Sequence, residues 1–112
     1  MRRLLITFGV FVLIFAFIGF AHAQQKQRIV IATGGTGGVY YPYGGTLAEI
    51  INQKVPNVFA TAEVTGASVE NIRLIAKKEA TFGLAMNDAV YQAYVGDGKF
   101  KDNKVDSLRS VI

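Results

Sequence analysis

The hydrophobic period changes repeatedly along this chain. Leu4 to Ala21 is almost wholly apolar, interrupted only by Thr7 and glycines. Ile29–Ala32 is a short continuous apolar run, the pattern of a buried parallel strand. Leu47, Ile50, Ile51 and then Val55 recur at helical spacing, with Glu49, Asn52 and Gln53 on the other face. Pro56-Asn57 ends that helix. Val58 to Thr65 alternates instead, with Val58, Ala60, Ala62 and Val64 on one side of a strand. Gly66-Ala67-Ser68 breaks it, and the spacing of Val69, Ile72 and Ala76 predicts a second helix from Ser68 to about Lys78. Ser68 suits its N-cap; Glu70 and Lys77-Lys78 suit its dipole. Phe82–Met86 reads as a third strand. Asp88 caps a third helix running through Tyr94 and stopped by Gly96, with Tyr91 and Tyr94 read as core. Asp97–Lys104 is a polar loop, and Ser107 to Ile112 resembles the start of a fourth strand.

Strands alternating with helices define an α/β layer with a mostly parallel sheet and helices on both faces. Ligands bind such sheets at the carboxyl ends of their strands. Three loops belong there: Gly34–Gly45, Thr65–Ser68 and Asn87–Asp88. Each leads into a helix N-terminus, where unpaired amides and a partial positive charge favour an anion.

The first loop is the most informative, because six of the twelve glycines lie between Gly34 and Gly45. Glycine permits tight turns and close backbone approach. Nucleotide fingerprints fit it poorly. Gly35-Thr36-Gly37-Gly38-Val39-Tyr40 puts tyrosine where a dinucleotide loop needs its third glycine, and no Gly-Lys-Ser/Thr follows. A turn that only reverses the chain is the plainer alternative, but Tyr40, Tyr41 and Tyr43 are unusual in a mere connector. A tyrosine ring stacks on a ligand while its hydroxyl meets a polar group. Asn71, one turn beyond Ser68, reaches toward the same mouth. Glu63 and Glu70 are isolated acids with no paired carboxylate, so no constellation supports catalysis.

Composition narrows the classes further. Met1-Arg2-Arg3, the apolar run and Ala21-His22-Ala23 read as a secretory signal peptide spanning residues 1–23; an uncleaved anchor is the alternative. The chain then touches a membrane only before cleavage and works in the periplasm. Loss of Arg2 and Arg3 takes the net charge from +4 to +2, and the remaining lysines are scattered without interleaved aromatics, so no nucleic-acid partner is expected. Cysteine is absent and His22 is the lone histidine. Lipid anchoring through cysteine, disulfides, Cys/His zinc sites and Ser–His or Cys–His catalysis are therefore excluded from the mature part. No cofactor or metal is expected. Residues 24–112 make one small domain, read as an incomplete piece of a longer protein.

The segments IATGGTGGVYYPYGG and TAEVTGASVENIRLIAKKEATFGLAMNDAVYQAYVG resemble the TAXI family of solute-binding proteins, the receptors of a subgroup of TRAP-type transporters. The resemblance runs from about Ile29 to the end. It implies a two-lobed periplasmic-binding-protein fold of which residues 24–112 are most of the first lobe, lacking the second. It implies a small carboxylate ligand such as glutamate or glutamine, delivered to TRAP membrane permease subunits, and no enzymatic activity. By position it carries a ligand-facing role to Thr36, Gly37, Tyr40 and Tyr41, to Thr65, Ser68 and Asn71, and to Asn87 and Asp88. Many members have Gln-Ser-Asp where this chain has Met86-Asn87-Asp88, which leaves ligand choice open at the third loop. Two other readings stay beside it: a nucleotide- or phosphate-using enzyme on a Rossmann-like sheet, and a fragment without activity of its own.

Overall fold

The computed structural model describes residues 25–111. The expected signal peptide and Ile112 lie outside the described residues. Strand β1 (Gln27–Ala32) is followed by α1 (Tyr40–Lys54), β2 (Val58–Glu63), α2 (Ser68–Ala76), β3 (Phe82–Gly83) and α3 (Asn87–Val95). A 3-10 turn, Gly98–Phe100, comes last. The three strands form one parallel sheet in the order β2-β1-β3, with Ile29 opposite Ala60 and Ile31 opposite Phe82. This is the expected α/β layer.

The strand order explains where the helices lie. From β1 to β2 the chain steps one way across the sheet; from β2 to β3 it steps back over β1. Right-handed crossovers in opposite directions put their helices on opposite faces. Accordingly, α1 covers one face through a cluster of Ile31, Ala48 and Ala60, flanked by Ile29, Leu47, Ile51 and Phe82. The next residue of β3, Gly83, points the other way, against Asn71 and Ile75 of α2. A second cluster, Ile72, Ala89, Ala93, Phe100 and Val105, binds α2 to α3.

Several expectations need correction. Helix α1 begins at Tyr40, so the tyrosines and Gly44-Gly45 belong to it and not to the loop. Pro42 sits in its first turn, where no amide is required and the fixed φ of proline suits the helix. Gly44 is a packing residue: a Cβ there would come within 2.4 Å of Thr33 Cγ2. The polar stretch after Gly96 holds Phe100, which is fully buried. Tyr91 and Tyr94 are 68% and 56% exposed, because Ala89 and Ala93 form the buried stripe of α3. Lys104 Nζ sits 5.6 Å from the Tyr94 ring centroid. Strand β3 pairs over only two residues, and residues 103–111 join no strand ladder, so the expected fourth strand is not formed among the described residues. Gly96 does end α3 in the left-handed conformation, as expected.

Candidate functional site

All three strands point the same way, so residues 33–39, 64–67 and 84–86 leave the same edge of the sheet. They are tied together there. The Thr33 amide and hydroxyl both donate to Glu63 O, at 3.0 and 2.6 Å, joining the ends of β1 and β2. A Cβ on Gly34 would lie 3.6 Å from Ala67 Cβ and 3.5 Å from Tyr40 Cβ, so the first two loops touch. The Leu84 amide donates to Ala32 O at 3.0 Å, and the Met86 amide donates to Ser68 Oγ at 3.0 Å. Asn71 Nδ2 bonds Thr33 O at 2.6 Å and Leu84 O at 2.7 Å.

Three helices start at this edge, and each presents amides with no intrahelical acceptor. In α1 the first intrahelical bond is Tyr43 N to Val39 O, leaving the amides of Val39, Tyr40 and Tyr41; position 42, a proline, has none. In α2 the first is Asn71 N to Ala67 O, leaving Ser68, Val69 and Glu70. In α3 the first is Val90 N to Met86 O, leaving Asn87 and Asp88, since the Ala89 amide already donates to Asp88 Oδ1 at 2.8 Å. None of the three N-caps uses a side-chain hydrogen bond.

That finding corrects two assignments. Ser68 is the first helical residue and not the N-cap; Ala67 holds that place, and the serine hydroxyl serves the third loop instead. Asp88 likewise lies inside the first turn of α3, with Met86 as N-cap. Glu70 reaches back to accept from the Gly66 amide at 2.5 Å, a variant of the capping box that locks the second loop onto α2.

The other sequence-selected residues divide by depth. Thr36 and Gly37 are exposed in the turn closed by Gly38 N to Gly35 O at 3.0 Å. A Cβ on Gly35 or Gly37 would meet nothing within 4 Å. Tyr40 and Tyr41 are half-buried, the Tyr40 ring lying against Gly34. Asn87 and Asp88 are exposed. Thr65 is half-buried, its hydroxyl donating to Asn71 Oδ1 at 2.6 Å and accepting from the Ala67 amide at 3.1 Å. Asn71 sits beneath the mouth with no exposed surface.

Two participants were missed in the sequence. Thr33 is fully buried and, with Asn71, makes up the buried polar side chains among the described residues. Ala67 takes φ 66 and ψ −149, a region essentially reserved for glycine. No lysine or arginine lies in the three loops, while Glu63, Glu70 and Asp88 stand around them. Any anion held here depends on helix amides more than on a cationic side chain. Among the described residues, no cluster of His, Cys, Asp or Glu is arranged to hold a metal ion, and no helix is long and apolar enough to cross a membrane.

A parallel α/β layer that gathers three helix N-termini at one edge has the build of a ligand-binding lobe. Residues 31–112 match the NMT1-like family, and the chain belongs to that family. It is a periplasmic solute-binding family related to the substrate-binding proteins of TRAP and ABC transporters. Its members typically work outside the cytoplasm, and generally bind ligand for a membrane transporter without enzymatic activity.

Proposed function

We propose that this chain is the first lobe of a TAXI-type receptor, exported by its N-terminal signal peptide and serving a TRAP transporter. Its ligand is a small organic anion such as glutamate or a related carboxylate. The ligand carboxylate docks on the free amides at the starts of α1, α2 and α3. Hydroxyls of Thr36 or Ser68 add bonds, Thr65 braces the second loop because its proton is committed to Asn71, and Tyr40 or Tyr41 covers the ligand body. Gly37 leaves room for the approach, and Asn87 and Asp88 close the third side. A second lobe encloses the ligand, since affinity for small molecules depends on enclosure. Permease subunits in the membrane receive it.

One observation carries this reading: the three loops that lead into these helices are bonded to one another at a single sheet edge, within a solute-binding family. Calorimetry with glutamate and other carboxylates on the full two-lobed receptor tests it. Tyr41→Ala and Ser68→Ala should each weaken binding about tenfold or more, the scale of one lost hydrogen bond or ring contact. Unchanged affinity in both variants refutes the assignment.

The nucleotide reading retains one favourable feature: β2 ends at Glu63, where a ribose-binding acid would stand. The missing third glycine and the family weigh against it. A fluorescence titration with nucleotides is expected to show no binding.

A further inference from the structure

The three loops come from positions far apart in the sequence, yet one side chain touches all of them. Asn71 lies in the first turns of α2 and is 0% exposed. Its two amide protons go to main-chain carbonyls: Thr33 O in the first loop at 2.6 Å and Leu84 O in the third at 2.7 Å. Its carbonyl accepts the Thr65 hydroxyl of the second loop at 2.6 Å. The orientation of this amide is not ambiguous. Both main-chain oxygens only accept, so Nδ2 must face them. Thr65 Oγ1 already accepts from the Ala67 amide, so its own proton points at Asn71 Oδ1.

The same residue grips the strained alanine from both sides. The Asn71 main-chain amide donates to Ala67 O at 3.0 Å. The Asn71 side chain holds Thr65, whose hydroxyl holds the Ala67 amide. Ala67 is the N-cap of α2, so its conformation sets the direction of the free amides that follow. Close approach makes the arrangement specific to asparagine. Gly83 passes so near that a Cβ there would sit 3.1 Å from Asn71 Cβ. With the two carbonyls already 2.6 and 2.7 Å from the asparagine nitrogen, a glutamine longer by one methylene misplaces its amide, aspartate turns an acceptor toward both carbonyls, and leucine supplies no donor.

We infer that Asn71 is the positioning residue of the site: it fixes the three ligand-facing loops in one arrangement and holds Ala67 in its strained conformation, without touching the ligand. The inference rests on the solute-receptor reading of this edge.

The test uses the full-length receptor, with L-glutamate as probe, and compares the native protein with Asn71→Ala and Asn71→Asp. Calorimetry reads affinity at temperatures where circular dichroism shows each variant folded. Hydrogen exchange reads the amides of residues 33–41, 64–70 and 84–88. A positioning role predicts affinity lower by about tenfold or more in folded protein. It also predicts faster exchange in all three loops together. Asn71→Asp should regain affinity as pH is lowered, because burial beside two carbonyl oxygens raises the pKa of its carboxyl and the protonated form again donates to one of them. Asn71→Ala should not. Glu63, Glu70 and Asp88 border the same edge, so the native protein is titrated alongside to remove their contribution. Should Asn71→Ala fail to fold, Asn71→Ser keeps one donor and is expected to fall between it and the native protein.

Native affinity in folded variants overturns the inference. So does faster exchange confined to residues 64–70, which marks a defect local to α2. If the native receptor binds no carboxylate at all, the ligand assignment fails instead, and the exchange pattern still judges the joint, since it needs no ligand.

Discussion

The two ends of the same three strands are built on different rules. At the amino end, helices finish and strands begin, and the helix-terminating turns are built from local bonds. Helix α2 ends in a Schellman motif, with the Lys78 amide on Ile75 O at 2.9 Å and the Glu79 amide on Leu74 O at 2.8 Å. Lys78 has φ 61 there, the usual place for a left-handed residue. Asn57, with φ 61 before β2, is a residue type that tolerates it, and its carbonyl accepts the Gln27 amide at 2.8 Å. At the carboxyl end the bonds are long-range. Both buried polar side chains, Thr33 and Asn71, are there, and the positive φ falls on an alanine. Polar burial and backbone strain cost stability and persist where the surrounding structure holds them. One end of the sheet therefore serves the fold, and the other trades stability for a fixed arrangement of amides.

The largest expected effect tests whether stability and arrangement are separable. Phe100 is fully buried in the cluster joining α2 and α3. Phe100→Ala should lower stability by about 3–5 kcal/mol in urea denaturation, from lost transfer energy and the cavity left behind. Ligand affinity, measured on the fraction that remains folded, should stay near native. A large loss of affinity in folded Phe100→Ala protein would show that the α2–α3 core also sets the loops, and the division between the two ends would collapse.

Ala67→Gly probes the strained end directly and carries a smaller effect of opposite sign. Glycine adopts φ 66, ψ −149 freely, which relieves strain of order 1–3 kcal/mol, while the extra freedom of its unfolded chain takes back up to about 1 kcal/mol. A net stabilisation of about 1 kcal/mol is expected from thermal melts. Most single substitutions destabilise, so a gain here is diagnostic. A loss of stability would mean that the alanine methyl, which lies close to Gly34, contributes packing that outweighs the strain.

What the sequence made legible follows the same division. Periodicity revealed the alternating elements because period 2 and period 3.6 are local signals, and the amino-end turns announced themselves through Pro56-Asn57. The start of α1 was hidden because glycine and proline read as loop residues. Here Gly44 meets Thr33 and Pro42 occupies a first turn, both decided by tertiary geometry. Phe100 was hidden because a lone aromatic in a polar stretch has no period. The role of Asn71 was invisible for a stronger reason: its partners Thr33 and Leu84 lie 38 and 13 residues away. Ser68 and Asp88 looked like caps because their types suit caps, yet each stands inside its helix, and residue type alone does not fix that boundary.

The smallest expected effect on stability is the sharpest on function. Gly37 is exposed, takes no left-handed φ, and has nothing within 4 Å of where a Cβ would stand. Gly37→Ala should therefore change stability by less than about 0.5 kcal/mol, with any gain coming from a less flexible unfolded chain. If Gly37 is glycine to let a ligand approach the loop backbone, the added methyl occupies that space, and affinity for the ligand should fall while the melting temperature does not. Equal affinity in native and Gly37→Ala receptor would mean that the first loop is open toward solvent and not toward ligand. The amides of α2 and α3 would then carry binding alone, and the contrast between the two ends would narrow to the segment around Asn71.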